Sequence, residues 1–287
     1  MRQALPDYQL PVTPHDLAAL ALEPDVESRI VLEQGAEHPW QLRLGPFSEQ
    51  DFAQLPRSHW TLLIQALDLW VPEVADLYQH FAFLPPWRRD DIMASFAAPG
   101  GSVGPHFDQY DVFLLQVEGD RRWQIGAPCA PDVAILEGTE LDILAQFEPE
   151  QEWLLEPGDL LYLPPRVPHW GIAETECMTL SVGFRAPSVA DMLAELAVDV
   201  ATLPGVAEYR DPPLTPAMAT VHIDPAFIAQ VREQLSSVLA DEALLADWFA
   251  RYMTQAKYPD LEAVTGERRV ASVGRRFYEN GERREDR

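Results

Sequence analysis

Short hydrophobic runs fill the middle of the sequence, from Asp91 to Phe184. They are rich in β-branched and aromatic residues, and turn signals such as PGG, EGD, EPGD and PPRVP separate them. The runs read DIMASFA, DVFLLQV, RRWQIG, EWLLE, DLLYLP, HWGIA and MTLSVGF. Because no long helical pattern interrupts them, we predict an antiparallel sandwich, barrel or jelly roll.

The region before these runs has a mixed pattern. Ser48 and Asp51 have the spacing of a capping box, which predicts a helix near SEQDFAQL. The stretch HWTLLIQALDLW fits a buried strand or a helix, and its period does not decide between them. Pro72 opens a predicted helix over PEVADLYQHF. We therefore expect helices on the N-terminal side of the β region.

Three apolar stripes at helical spacing follow the β region. They begin at Val189, Phe227 and Leu244. Such stripes fit either an intramolecular core or contact with a second copy of the chain, and the first is the default. The tail, RRVASVGRRFYENGERR, predicts two short strands joined by a turn at Asn280 and Gly281. The whole pattern predicts an α+β fold.

The charge is strongly negative. The 287 residues hold 21 Lys and Arg against 46 Asp and Glu, a formal net charge of −25. Such a chain repels phosphate backbones, so we do not expect broad nucleic-acid binding. It attracts basic partners, although acidity can also serve solubility alone.

The sequence gives no sign of export or of membrane insertion. MRQALPDYQL does not have the pattern of a secretory signal, and no apolar run approaches membrane-spanning length. The two cysteines, Cys129 and Cys177, show neither metal-site spacing nor a disulfide framework. We therefore expect a cytoplasmic protein with ordinary thiols and no membrane contact.

Two histidines and one aspartate suggest a metal site. His106 and Asp108 are two residues apart, which would place both side chains on one face of a strand. His169 follows PGDLLYLPPRVP, at the predicted start of a later strand. Two histidines and a carboxylate on one face form the facial triad that suits non-haem Fe(II). A His-x-Asp pair alone is weak evidence, because most such pairs are ordinary surface residues.

An arginine follows this motif in the strand RRWQIG. If Arg121 points into a barrel, its charge is costly unless an anion pairs with it. A dicarboxylate co-substrate would supply that anion, and Ser95 could donate a hydrogen bond to the same carboxylate. The alternative places both Arg121 and Arg122 on an exposed hairpin flank, which we expect for Arg122 and not for Arg121. For Ser95 considered alone, we prefer an ordinary structural role.

The motifs resemble a known family. WRRDDIMASFAAPGGSVGPHFDQYDVFLLQVEGDRRWQIG, PGDLLYLPPRVPHWG and TLSVGFRAPS are similar to segments of the bacterial ribosomal oxygenases of the JmjC, cupin-like class, which hydroxylate an arginine. The resemblance implies a double-stranded β-helix core and a requirement for Fe(II), 2-oxoglutarate and O₂. It implies that His106, Asp108 and His169 bind the iron, and that Arg121 and Ser95 hold 2-oxoglutarate. Ser181 lies in a matching strand, and we assign it no role.

The same resemblance implies a domain organisation and partners. We expect an oxygenase domain over residues 1–187, a helical dimerisation region over residues 188–257, and an abbreviated winged-helix-like segment over residues 258–287. The expected substrate is a basic ribosomal protein, and the expected oligomer is a homodimer.

Two other functions remain open at this stage. The triad fits equally a 2-oxoglutarate oxygenase that hydroxylates histidine or asparagine or demethylates lysine, because specificity lies in the pocket walls. A cupin-like scaffold that binds a metal without catalysis is the second alternative. Arg121 disfavours the scaffold, since a plain metal-binding cupin needs no buried cation.

Overall fold

A computed structural model describes residues 1–33, 40–204, 208–266 and 268–284 of the protein. The chain divides into two units. The first contains Met1–Ala186 and Asp260–Glu267, and the second contains Pro187–Pro259 and Arg268–Arg287. Residues 285–287, which end the predicted C-terminal segment, lie outside the described residues.

The first unit is built on antiparallel strands. Its described residues form β1 (Ser28–Glu33), β2 (Trp40–Leu44), β3 (Trp60–Ile64), β4 (Arg89–Ala97), β5 (Asp111–Glu118), β6 (Arg121–Ile125), β7 (Gln151–Leu155), β8 (Leu160–Leu163), β9 (His169–Ala173) and β10 (Cys177–Phe184). All seven predicted hydrophobic runs are strands, β4 to β10. The N-terminal strands β1 and β2 were not expected.

Two sheets form the barrel. The larger has the order β2-β1-β3-β4-β10-β5-β8, and the smaller has the order β7-β6-β9. Neighbouring strands in both sheets pair antiparallel. This arrangement confirms the predicted α+β fold with a jelly-roll core of the double-stranded β-helix type.

The two faces of the larger sheet differ in chemistry. Because strand residues alternate between faces, Ile92 and Ala94 of β4 point one way and Met93 and Ser95 the other. The first face packs in the main hydrophobic core, together with Leu180 and other apolar residues of the neighbouring strands. The second face carries polar groups into the barrel, and it positions the site described below.

Short helices precede β4. They are α1 (Pro14–Leu20), α2 (Glu49–Ala53), α3 (Leu67–Trp70) and α4 (Pro72–Ala75), with 3₁₀ helices at Asp76–Phe81 and Pro86–Arg88. The predicted capping box at Ser48 and Asp51 is present, with reciprocal hydrogen bonds at the start of α2. The helix predicted from Pro72 is present as α4 followed directly by the 3₁₀ helix. The ambiguous stretch HWTLLIQALDLW contains both β3 and α3.

The second unit is mainly helical. Its helices are α5 (Val189–Ala201), α6 (Pro225–Leu239) and α7 (Glu242–Thr254), with a 3₁₀ helix at Pro216–Met218. Helix α8 (Pro259–Thr265) belongs to the first unit from Asp260 onwards. The second unit also contains a small sheet of β11 (Val270–Val273), β12 (Arg276–Glu279) and β13 (Glu282–Arg284). The prediction of two strands in the tail was wrong, because a third strand forms. The predicted turn is present, and positive φ angles of 50° at Asn280 and 80° at Gly281 fit it.

No helix among the described residues has the length and apolar character needed to cross a membrane.

Candidate active site

Three side chains that are distant in sequence converge at one end of the barrel. Ligand atoms of His106, Asp108 and His169 all lie within 4.8 Å of one another. The imidazole centroids of the two histidines are 4.4 Å apart, and His169 Nε2 lies 3.7 Å from Asp108 Oδ2. The structure therefore brings together all three residues that the sequence suggested as metal ligands.

The backbone that aligns these residues is not the expected strand. His106 and Asp108 precede β5, and outside the named strands His106 forms only an isolated antiparallel bridge with His169. The two histidines exchange both main-chain hydrogen bonds, with N–O distances of 3.0 and 2.8 Å. The strand interpretation was wrong because the chain turns tightly here, with a φ of +83° at Gly104. The bridge, rather than strand alternation, places the two imidazoles side by side.

Both imidazoles are oriented by backbone carbonyl groups. His106 Nδ1 lies 2.9 Å from the carbonyl oxygen of Gly104, and His169 Nδ1 lies 3.1 Å from that of Val167. A carbonyl oxygen only accepts, so each Nδ1 carries the proton and donates it. Each Nε2 is then left with a lone pair, which is the form that binds a metal.

Burial sets the electrostatics of this cluster. Burial, with a smaller effect of nearby His106, lowers the pKa of His169 to about 3, so the imidazole is neutral at neutral pH. Burial also raises the pKa of Asp108, although His106 and a hydrogen bond from Tyr110 oppose that shift. Two imidazoles and one partly buried carboxylate fit a divalent cation, which would offset the desolvation of the carboxylate.

Arg121 lies on β6, inside the barrel, and is 5% exposed. Its Nη1 donates to Ser95 Oγ at 3.3 Å. Nε and Nη2 have no hydrogen-bond partner among the described residues. These two atoms form the side edge of the guanidinium group, which binds a carboxylate through two parallel hydrogen bonds. The site thus fits an anion that none of the described residues supplies.

Arg122, the next residue, is different. It is more exposed and forms ion pairs of 2.6 Å with Glu152 and with Glu174. The expectation for the two arginines is therefore correct: one points into the barrel and the other lies on its surface.

Comparison with known proteins identifies the family. A family model described as a JmjC domain matches residues 76–192, and one described as an AraC-like ligand binding domain matches residues 148–246. The Escherichia coli (strain K12) ribosomal protein uL16 3-hydroxylase is 37% identical over 254 residues, covering 86% of this chain and 65% of that protein. The X-ray structure of E. coli YcfD has a TM-score of 0.87 and 33% identity, and the match covers 100% of this chain and 82% of that one.

The chain belongs to the JmjC-domain ribosomal oxygenases.

Other relatives agree with this assignment. A probable ribosomal oxygenase of Haemophilus influenzae is 40% identical over 194 residues, covering 67% of this chain and 48% of that protein. The chain thus spans less than two thirds of the length of either curated relative. A structure of E. coli YcfD in complex with cobalt and 2-oxoglutarate has a TM-score of 0.85 and 33% identity to this chain.

The Trp123 ring lies between Arg121 and the His–Asp–His cluster, a position that sequence reasoning missed. The guanidinium carbon of Arg121 lies 5.7 Å from the centroid of the Trp123 ring, and that ring lies 5.8 Å from the His169 ring. Trp123 is paired with Gly171 across β6 and β9, where a Cβ atom would lie only 2.7 Å from the indole. The glycine therefore makes room for the indole between the two functional groups.

A polar chain of buried residues continues from Ser95. Ser95 Oγ donates to the carbonyl oxygen of Thr179, and Thr179 Oγ1 donates to Gln116 Oε1 at 2.9 Å. Gln116 Nε2 donates in turn to two carbonyl oxygens, of Glu118 and Gly119. These hydrogen bonds satisfy the buried amide of Gln116, so the series of hydrogen bonds holds Ser95 beside Arg121. Nothing in the sequence marks Thr179 or Gln116, since both resemble ordinary strand residues.

A cavity opens beside His106 and Asp108. The side chains that line it include Arg29, Gln65, Asp91, Met93, Tyr110 and Ser181, together with Glu140 and Asp142 from the β6–β7 connection. Asp91 and Met93 lie on the same face of β4 as Ser95, so strand alternation could have identified them.

Gln65 connects two charged groups of the cavity wall. Arg29 Nη2 donates to Gln65 Oε1 at 2.9 Å, and Gln65 Nε2 donates to Asp91 Oδ2 at 2.5 Å. A guanidinium only donates and a carboxylate only accepts, so the orientation of the amide is fixed. The carboxylates of Asp91, Glu140 and Asp142 give the cavity a surplus of negative charge that suits a cationic side chain.

Proposed function

We propose that the protein is an Fe(II)- and 2-oxoglutarate-dependent hydroxylase that acts at C3 of an arginine in a large-subunit ribosomal protein. The observation that carries the proposal is the buried guanidinium of Arg121 near a His–Asp–His cluster. Two nitrogen atoms of that guanidinium have no hydrogen-bond partner among the described residues. A facial triad needs an oxidisable co-substrate to be a hydroxylase centre, and a small diacid would satisfy Arg121.

Each site residue has a role in this proposal. His106, Asp108 and His169 would hold the iron. Arg121 binds the distal carboxylate of 2-oxoglutarate, and Ser95 donates to the same group. When bound, the iron supplies activation of O₂, which couples decarboxylation of 2-oxoglutarate to hydroxylation of an unactivated C–H bond. The chain's own residues supply position, orientation and exclusion of water.

The cavity supports an arginine as the target. Its acidic wall favours a cationic side chain over the neutral side chain of asparagine. The net charge of −25 would steer a basic ribosomal protein towards the enzyme. The relatives' printed names, a uL16 3-hydroxylase and a probable ribosomal oxygenase, favour the same substrate class. A ribosomal-protein substrate also supports a cytoplasmic location.

The proposed organisation follows the same family. Residues 1–187 form the oxygenase domain, residues 188–257 a dimerisation region, and residues 258–287 a short winged-helix-like segment. The exposed apolar side chains of α5 support a homodimer: Val189 is 68% exposed, Leu193 52% and Val198 65%. Light scattering at micromolar concentration should report a dimer, and Leu193→Glu should shift the protein to a monomer.

A single reaction tests the activity. The protein, Fe(II), ascorbate and 2-oxoglutarate are incubated with purified uL16, and mass spectrometry follows both the ribosomal protein and succinate. We expect a gain of one oxygen atom on an arginine, assigned to C3 by fragmentation, with one succinate per hydroxylation. Asp108→Ala should give neither product. Succinate formation with a different protein as acceptor would favour another oxygenase, and absence of 2-oxoglutarate binding would favour a scaffold.

A further inference from the structure

Arg166 has an unusual backbone conformation next to the site. It lies in the turn between β8 and β9, in the sequence PPRVP, and its φ is +65°. A residue with a Cβ atom rarely adopts this left-handed backbone conformation, because it costs conformational energy. Such a residue persists only where its surroundings hold it in place. The contacts of its side chain show what those surroundings are.

The Arg166 guanidinium binds the start of the β6–β7 connection, residues 126–150. Nε and Nη2 both donate to the carbonyl oxygen of Cys129 at 3.1 Å, and Nη2 also donates to that of Ala130. Charge-assisted hydrogen bonds of this kind are stronger than neutral ones. Arg166 therefore holds the first residues of a long connection that contains no named helix or strand.

The same guanidinium also contacts the loop that carries the metal ligands. Its carbon atom lies 5.0 Å from the centroid of the Phe107 ring, and Nη1 lies 3.4 Å from Gln109 Oε1. Phe107 and Gln109 flank Asp108 on either side. The side chain thus ties the β6–β7 connection to the segment that presents the carboxylate ligand.

Main-chain hydrogen bonds join the same segments independently. The Arg166 N–H donates to the carbonyl oxygen of Asp108 at 2.7 Å, and the Cys129 N–H donates to that of Arg166 at 2.8 Å. These two bonds require only the backbone conformation. A residue without a side chain at position 166 would keep them.

The β6–β7 connection forms one wall of the cavity. Leu141, Asp142 and Ile143 line the cavity together with residues of β4 and β10. This part of the wall has its own attachment, because the Leu144 N–H donates to the carbonyl oxygen of Pro105 at 2.8 Å. Ile143 also packs where a Cβ atom on Gly104 would lie only 2.8 Å from its side chain. The wall is thus fixed near its tip at Pro105 and at its root by Arg166.

We propose that Arg166 is a positioning residue that holds the β6–β7 connection as a rigid wall of the substrate pocket. The proposal rests on the proposed function, since it assigns the cavity to the protein substrate. The guanidinium acts on the wall, while the backbone of the same residue supports Asp108. Removal of the side chain alone should therefore weaken substrate binding and leave metal binding intact.

Arg166→Gly separates these two contributions. Glycine adopts a φ of +65° without strain and keeps both main-chain hydrogen bonds, so the variant loses only the side chain. Arg166→Asn is a second variant, because asparagine tolerates this conformation but is too short to reach Cys129. Arg122→Ala is the matched control, since it removes an arginine whose ion pairs lie on the surface of the barrel.

The first readout does not need activity. Hydrogen exchange of the metal-free protein should accelerate about tenfold at residues 129–146 in Arg166→Gly, the effect expected from the loss of one charge-assisted contact. The rate should not change there in Arg122→Ala. Unchanged exchange in both Arg166 variants would overturn the proposal.

The second readout separates positioning of the pocket from support of the metal. In Arg166→Gly, the Mn(II) affinity and kcat should stay within about twofold of the wild-type values. The KM for uL16 should rise about tenfold. A loss of Mn(II) affinity and kcat with an unchanged KM would overturn the proposal, because Arg166 would then serve the metal ligands. If the wild type does not hydroxylate uL16, the proposed function fails, and the exchange rates still decide the role of Arg166.

Discussion

The two units of the chain each contain an arginine in a polar cluster, and the two arginines differ in what they bind. In the helical unit, Arg251 donates to both oxygens of Asp199 at 2.8 Å and to Asp247 Oδ2 at 3.0 Å. In the barrel, Arg121 makes one hydrogen bond to Ser95, and its Nε and Nη2 have no partner among the described residues. The helical unit supplies the anions for Arg251, whereas the described residues of the barrel supply none for Arg121.

This difference separates a structural arginine from the one that we propose to bind a ligand. A buried cation is costly unless an anion and enough hydrogen bonds compensate for its lost hydration. Arg251 meets that condition within its own unit. Arg121 does not meet it among the described residues, and this incomplete pairing supports its proposed role in binding a diacid. Three experiments can break or sharpen the comparison.

The largest expected effect is on binding of the diacid. Arg121→Met approximately keeps the size of the side chain and removes the guanidinium group. 2-Oxoglutarate then loses two charge-assisted hydrogen bonds, worth about 3 kcal/mol or about 100-fold in Kd. Calorimetric titration of 2-oxoglutarate in the presence of Mn(II) measures this change. Arg122→Met should bind with wild-type affinity. An Arg121→Met protein that binds the diacid normally would remove the main support for the proposed function.

The second expected effect is on stability, with opposite signs in the two units. Without ligands, Arg121→Met should stabilise the barrel by about 1 kcal/mol, because it replaces an incompletely paired buried charge with an apolar group. Arg251→Met should destabilise the helical unit by about 2 kcal/mol, since it leaves Asp199 without its arginine and removes one hydrogen bond to Asp247. Hydrogen exchange measures the two effects separately, in β6 and in α7. Equal losses of stability in both variants would contradict the distinction between the two arginines.

The sequence predicted residue types better than it predicted contacts. His106, Asp108 and His169 could be proposed as ligands because metal ligands belong to a few residue types, and the structure brings the three together. Arg121 could be identified because an arginine between apolar strand residues needs an explanation. The strand assumed for His106 and Asp108 was wrong, because the isolated bridge to His169 depends on a residue more than sixty positions away.

The missed residues share one physical cause. Trp123, Thr179 and Gln116 have their roles only through neighbours on adjacent strands, and register between distant strands is not visible in one sequence. Arg166 is a similar case, because its partners at Cys129 and Gln109 are far from it along the chain. Elements set by local patterns, such as the capping box at Ser48, were predicted correctly.

The smallest expected effect is the pH dependence of the Asp199–Arg251 pair. Hydrogen bonds from Arg251 hold the pKa of Asp199 below its usual value in the folded protein. In the window between the folded pKa and the unfolded value of about 3.9, the unfolded chain binds more protons, so stability rises with pH. The contribution of the pair, about 1 kcal/mol, is thus fully present above that window and is lost as the pH falls through it.

Asp199→Asn removes this dependence while Asp247 still binds Arg251. The free energy of opening of α7, measured by hydrogen exchange, should differ between the wild type and the variant at pH 6, and the difference should shrink on acidification below about pH 4. A difference that is constant with pH would mean that Asp199 stabilises the unit by packing rather than by charge. In that case Asp199 would not compensate for the lost hydration of the Arg251 charge. The contrast between Arg251 and Arg121 would then have no electrostatic basis.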